Sequence, residues 1–112
     1  MRESIRGRAK RVLMIGIPAD GAQISPDAVL ALDGMLIVME ADAARAAEMR
    51  RRLSSDGLSE RATVIGGDPK RMLYKLAGPF DVIVCGAAYL SLRPALEKLL
   101  ATDGVFIANG ET

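Results

Sequence analysis

The chain has 112 residues, half of them hydrophobic, with 15 basic and 14 acidic side chains and a formal net charge of +1. That length suits one domain with a real core, the apolar content excludes a disordered chain, and the near-neutral balance gives no global drive toward nucleic acid. A single cysteine, Cys85, and no histidine exclude an internal disulfide, a histidine general base and any Cys-His or Ser-His pair within the chain, and argue against a transition-metal centre.

In chain order, Arg2 to Arg11 is charged and has no apolar stretch behind it that resembles a signal peptide. No apolar run approaches a membrane span, so a cytoplasmic protein is expected. The cluster Arg2, Arg6, Arg8, Lys10 and Arg11 reads as a solvated terminus, with phosphate binding as the alternative. A first strand is predicted from Arg11 to Gly16, leading into the loop Gly16-Ile17-Pro18-Ala19-Asp20-Gly21. Ser25-Pro26-Asp27 starts a short helix that ends before Gly34. A second strand runs from Met35 to Glu40. Asp42 then caps a helix to about Ser55, with Gly57 just past its end. Arg45, Glu48, Arg51 and Arg52 mark its outer face, and Ala46, Met49 and Leu53 its inner one.

The third strand, Ala62 to Ile65, ends in Gly66-Gly67-Asp68. Asp68 caps the next helix, Pro69 takes its first position and Gly78 closes it. A fourth strand covers Asp81 to Cys85. Ser91 or Leu92 begins a helix with Pro94 in its first turn and Leu96, Leu99 and Leu100 turned inward. A fifth strand follows at Val105 to Ala108. Each strand is a nearly continuous apolar run, the mark of parallel strands covered on both faces. Right-handed crossovers then predict an α/β, Rossmann-like, doubly wound fold: a five-stranded, mainly parallel sheet in the order 3-2-1-4-5 with helices on both faces. All of residues 1–112 fall in that single domain. The winding direction switches between strands 1 and 4, so a ligand is expected outside their carboxyl ends.

A turn after strand 1 and an acid at the tip of strand 2 are how open α/β sheets hold nucleoside ligands. Each signal alone is weak, and an acid at a strand end is often simply solvated. Together, Gly16 to Glu40, Gly57-Leu58-Ser59-Glu60-Arg61, Gly67-Asp68 and Pro79-Phe80-Asp81-Val82-Ile83-Val84 resemble the core of class I S-adenosylmethionine-dependent methyltransferases. The small-molecule O-methyltransferase branch is closest in rhythm, and the resemblance covers about residues 10 to 109. It implies S-adenosylmethionine as cofactor and a small-molecule acceptor. It implies that Gly16, Ile17, Pro18, Asp20 and Gly21 pass under the methionine part, and that Glu40, with Ala41 beside it, takes the ribose hydroxyls. Gly67, Asp68 and Pro69 would approach the adenine, and Cys85 and Gly86 are further residues that would contact the cofactor. A plain helix cap is the other reading of Asp68, and the two roles are compatible.

The sequence departs from the family pattern in several places. Met14 stands where the family has an acid, and Pro18 replaces the second glycine of the loop. Asp20 stands where a third often falls and is a candidate to reach the cofactor amine. Where metal-dependent O-methyltransferases carry an aspartate and a second acid, this chain has Cys85-Gly86-Ala87-Ala88. That string is similar to the metal-free protein isoaspartyl methyltransferases and implies metal independence. Thr102-Asp103-Gly104 replaces the usual Pro-Gly-Gly and is expected to keep the turn. Cys85 reads as a core residue rather than a nucleophile. Tyr89 stands where substrate or cofactor could pass, or packs as a partly buried ring. The family core continues into a helix and strands 6 and 7, which have no counterpart here. Strand 5 is therefore expected to be an edge, covered by another copy or by the ends of the chain. Two other functions remain open: a non-catalytic scaffold or regulatory subunit with a degenerate methyltransferase fold, and a dinucleotide-binding Rossmann domain. The second is disfavoured by a loop without the glycines that admit a pyrophosphate.

Overall fold

The structure, a computed structural model, describes residues 9–16 and 30–109. Its strands are β1 (Ala9–Ile15), β2 (Leu30–Glu40), β3 (Ala62–Gly66), β4 (Phe80–Gly86) and β5 (Leu100–Asn109). They form one sheet in the order β3-β2-β1-β4-β5, with every neighbouring pair parallel. The connections carry α1 (Ala43–Ser55), then α2 (Pro69–Met72) with a 3-10 turn at Leu73–Lys75, then a 3-10 segment at Ala87–Leu92 that runs into α3 (Arg93–Glu97). The predicted order of strands is the observed one. Among the described residues no helix is long and apolar enough to cross a membrane.

Alternation along the strands divides the core into two layers. Val12, Met14, Leu36, Val38, Val82 and Val84 face Met49 and Leu53 of α1 and the buried Leu58. Leu13, Ile15, Met39, Ile83 and Cys85 face Leu96 of α3, with Met72, Leu76, Leu90 and Leu99 packed around them. Helices thus cover both faces, and β1, at the centre, buries Val12 to Ile15 completely. This is why its sequence is unbroken apolar rather than alternating.

α1 begins and ends as its sequence predicts. Asp42 is extended (φ −82°, ψ 122°) and its side chain accepts from the Arg45 N–H at 2.9 Å. Such a cap stabilises a helix by about 1 kcal/mol. Ala46, Met49 and Leu53 are buried, and Gly57 follows the helix at φ 76°.

Four expectations need correction. β2 begins at Leu30, so no helix extends to Gly34, and a start at Ser25-Pro26-Asp27 lies outside the described residues. β5 begins at Leu100 rather than Val105, so Leu100 belongs to the strand and not to the preceding helix. Thr102-Asp103-Gly104 is not a turn ahead of β5 but a bulge inside it: Phe80 pairs with Leu100 and Val82 with Val105, and the register slips between them. The helix after Asp68 ends its 3-10 turn at Lys75 with Leu76 extended (ψ 143°), short of Gly78. Gly78 serves a close approach instead, because a Cβ there would lie 2.6 Å from the Leu99 carbonyl oxygen.

Phe80-Asp81 also acquires a structural role. Asp81 Oδ2 accepts from the backbone N–H groups of Lys10 (2.8 Å) and Arg11 (3.1 Å). The Arg11 guanidinium donates to the Ala77 carbonyl at 2.8 Å and lies 4.8 Å from the centre of the Phe80 ring. These contacts tie β1 to β4 at their amino-terminal ends, away from the ligand end of the sheet.

Candidate functional site

The carboxyl ends of β1, β2, β3 and β4 meet at one rim of the sheet. The Gly16 N–H donates to the Met39 carbonyl at 2.9 Å and the Gly67 N–H to the Glu40 carbonyl at 3.1 Å. Both bonds extend the ladder past the strand ends, so the Glu40 backbone is held between the tips of β1 and β3.

Glu40 is only 4% exposed. Its Oε2 accepts from the Asp42 N–H at 3.0 Å. Its Oε1 is buried and has no hydrogen-bond partner among the described residues. Leaving a buried acceptor unpaired costs about 1–3 kcal/mol, more for a charged group, so such atoms in folded proteins call for a specific cause. An acceptor of two hydroxyl hydrogen bonds is one such cause, since a carboxylate has room for several.

Asp68 is exposed, and its Oδ1 accepts from the Lys70 N–H at 3.0 Å as the cap of α2. The cap uses one oxygen. Ala41 is exposed beside Glu40, Gly67 is half-buried, and Pro69 is buried at the start of α2. Ile17, Pro18, Asp20 and Gly21 lie outside the described residues.

Gly16 and Gly86 bring β1 and β4 together. A Cβ on Gly86 would stand 2.5 Å from the Gly16 carbonyl oxygen. Gly16 has φ 64°, and a Cβ there would stand 2.3 and 2.4 Å from two ring carbons of Tyr89. Both positions therefore need a bare Cα. The Tyr89 ring rests on Gly16, and its hydroxyl pKa is raised, first by burial and then by the Glu40 and Asp68 carboxylates, with Arg45 opposing. Tyr89, which the sequence reading places where substrate or cofactor could pass, and Arg45, which it gives only to the outer face of the helix, thus share the field of the two acids. A signal for Arg45 exists: it follows the cap Asp42 by three residues, and helical side chains lean toward the helix amino end.

Cys85 is fully buried in the second core layer. Burial pushes its thiol up to about 11 against a smaller opposing effect of Arg93. At neutral pH it is a core thiol, and any contribution to the rim comes from its backbone. Met14 is likewise fully buried, in the first layer. Among the described residues no three His, Cys, Asp or Glu side chains cluster as metal ligands would.

No family model matches the sequence, and no curated protein matches it. Solved structures do. Cofactor-bound Rv0187 from MTB is 23% identical with a TM-score of 0.78, over 96% of this chain and 50% of that one. The O-methyltransferase TomG from Streptomyces achromogenes, in complex with SAM, is 21% identical with a TM-score of 0.73, over 96% and 49%. The SAH-bound Podospora anserina methyltransferase PaMTH1 is 22% identical with a TM-score of 0.74, over 91% and 46%. This chain spans about half the length of each. The likeness shows the fold: this chain shares the Rossmann-like α/β core of these solved structures, TomG and PaMTH1 among them.

Proposed function

We propose that the rim formed by Gly16, Glu40, Gly67, Asp68 and Gly86 binds S-adenosylmethionine, and that the domain serves methyl transfer to a small-molecule oxygen acceptor without a metal ion. The observation that carries this reading is the buried, unpartnered Oε1 of Glu40. A ribose diol is the natural donor pair for a carboxylate in that position. TomG, of the same fold, is in complex with SAM, and PaMTH1 is SAH-bound. The residues fit the cofactor. Glu40 would accept from the ribose hydroxyls, Asp68 would use the oxygen its cap leaves, and the bare Cα atoms of Gly16 and Gly86 would let backbone approach closely.

When bound, the cofactor supplies an electrophilic methyl group on a sulfonium. What this chain then contributes is position and the exclusion of water, since in-line transfer depends chiefly on proximity and orientation. The acceptor hydroxyl gives up its proton to solvent as its oxygen takes the methyl group, so a histidine is not required. Metal independence is supported by Gly86: no side chain fits where metal-dependent relatives are expected to carry a carboxylate, because the Gly16 carbonyl oxygen stands 2.5 Å from that Cβ position. The test is transfer of a radiolabelled methyl group to a panel of phenols and catechols, with and without chelator. Labelled product insensitive to chelator is expected. Product that disappears with chelator would overturn metal independence, and none from any acceptor would count against catalysis by this chain alone.

A further inference from the structure

Resting on that reading of the site, we propose that Tyr89 is an aromatic gate: its ring occupies the crevice against Gly16 and must swing away before a nucleoside can reach Glu40. Two independent observations meet here. The ring carbons lie 2.3 and 2.4 Å from where a Gly16 Cβ would be, so the ring fills the space that a bare Cα leaves open at the tip of β1. Glu40, at the next strand tip, keeps one carboxylate oxygen buried without a partner. A ligand hydroxyl cannot pair with an atom that has no accessible surface unless a group covering the rim moves. Gly16 is bonded through its N–H to the Met39 carbonyl at 2.9 Å, one residue before Glu40, so the ring and the acid stand at neighbouring strand tips.

The element that carries the ring suits such motion. Tyr89 sits in the middle of the 3-10 segment Ala87–Leu92, which has no side-chain cap and buries none of its residues fully. 3-10 segments have poorer hydrogen-bond geometry than α-helix. Gly86, just before it, is extended, so the segment leaves β4 without a helical turn behind it. The rim beneath is rigid by contrast, because Gly16 and Gly67 are bonded to the backbone of β2. The gate therefore moves over a fixed floor, and its closed contact competes with ligand for the same volume.

The experiment is a calorimetric titration with S-adenosylhomocysteine of the wild-type chain, Tyr89→Ala and Tyr89→Phe. Removal of the ring is expected to tighten binding at least tenfold, while Tyr89→Phe stays within about threefold of wild type, because the ring and not the hydroxyl fills the space. Weaker binding by Tyr89→Ala would show that the ring is a wall that ligand stacks on, and unchanged binding that it is not in the way; either overturns the gate and leaves the cofactor reading standing. Binding by neither wild type nor Tyr89→Ala overturns the cofactor reading and the gate with it. A second readout does not depend on the alanine variant folding. The chain has two tyrosines and no tryptophan, and the other, Tyr74, is 81% exposed, so the Tyr89 ring signals are assignable by NMR. A nuclear Overhauser contact between that ring and the Gly16 Hα protons is expected without ligand and lost at saturation. Its persistence at saturation would contradict the gate.

Discussion

Glu40 concentrates the conflict between stability and binding in one side chain. Its carboxylate is buried, with one oxygen held by the Asp42 N–H and the other without a partner among the described residues. Burying a charge with incomplete pairing costs more than burying a neutral amide of the same shape. Glu40→Gln is therefore expected to melt at the same temperature as wild type or higher, by differential scanning calorimetry. A fall of more than about 4 °C, roughly 1 kcal/mol for a domain of this size, would mean that the carboxylate has a native partner. Cys85 gives a pH test. Its folded pKa of about 11 lies above the ordinary value of 9.0, so the folded state keeps a proton that the unfolded state loses between those values. Stability from this group is full below pH 9 and declines as pH rises toward 11, by on the order of 2–3 kcal/mol in the limit. Replacing Cys85 by alanine should flatten that decline in urea titrations at pH 8 and 10.5, and an equal decline in both proteins would contradict it. Glu40 and Asp68 were legible in the sequence because a strand-tip acid and a helix cap are local signals. The contact of Tyr89 with Gly16 joins residues far apart in the chain and leaves no local trace.

The elements show where local signals mislead. The sequence reading ends a short helix before Gly34 and keeps a turn at Thr102-Asp103-Gly104. In both places the chain is already extended. Leu30-Ala31-Leu32-Asp33-Gly34-Met35 and Leu100-Ala101-Thr102-Asp103-Gly104-Val105 share a pattern, and both carry a register slip: Ala9 and Arg11 pair with Leu30 and Met35, as Phe80 and Val82 pair with Leu100 and Val105. The glycine absorbs extra residues as a bulge, and only the pairing partner across the sheet reveals that the segment before it is strand. α1 was readable to the residue because its cap, its apolar spacing and its terminal glycine agree. At the other end of the sheet, Asp81 holds two backbone N–H groups of β1. Asp81→Ala should cost about 1–3 kcal/mol by leaving those donors without their acceptor, measured by urea unfolding, with ligand affinity unchanged. A loss of affinity with unchanged stability would place Asp81 in the site rather than in the frame.

For the whole molecule, the order β3-β2-β1-β4-β5 puts the change in winding direction between β1 and β4, where Gly16 and Gly86 touch. This much followed from unbroken apolar strands and right-handed crossovers, because topology depends on pattern rather than on individual contacts. The two edges differ. At β3, Arg50 donates to the Val64 carbonyl at 3.3 Å and shields the strand. At β5, Arg93 lies over the Phe106 ring, 4.6 Å from its centre, which covers a face and not the edge. The central claim remains the nucleoside site at the strand tips. Its most direct test is calorimetric titration of the wild-type chain and Glu40→Gln with S-adenosylmethionine and S-adenosylhomocysteine. Micromolar binding of both ligands by the wild type, weakened at least tenfold in the variant, is the predicted result. No binding at millimolar ligand, or equal binding by the two proteins, would contradict it.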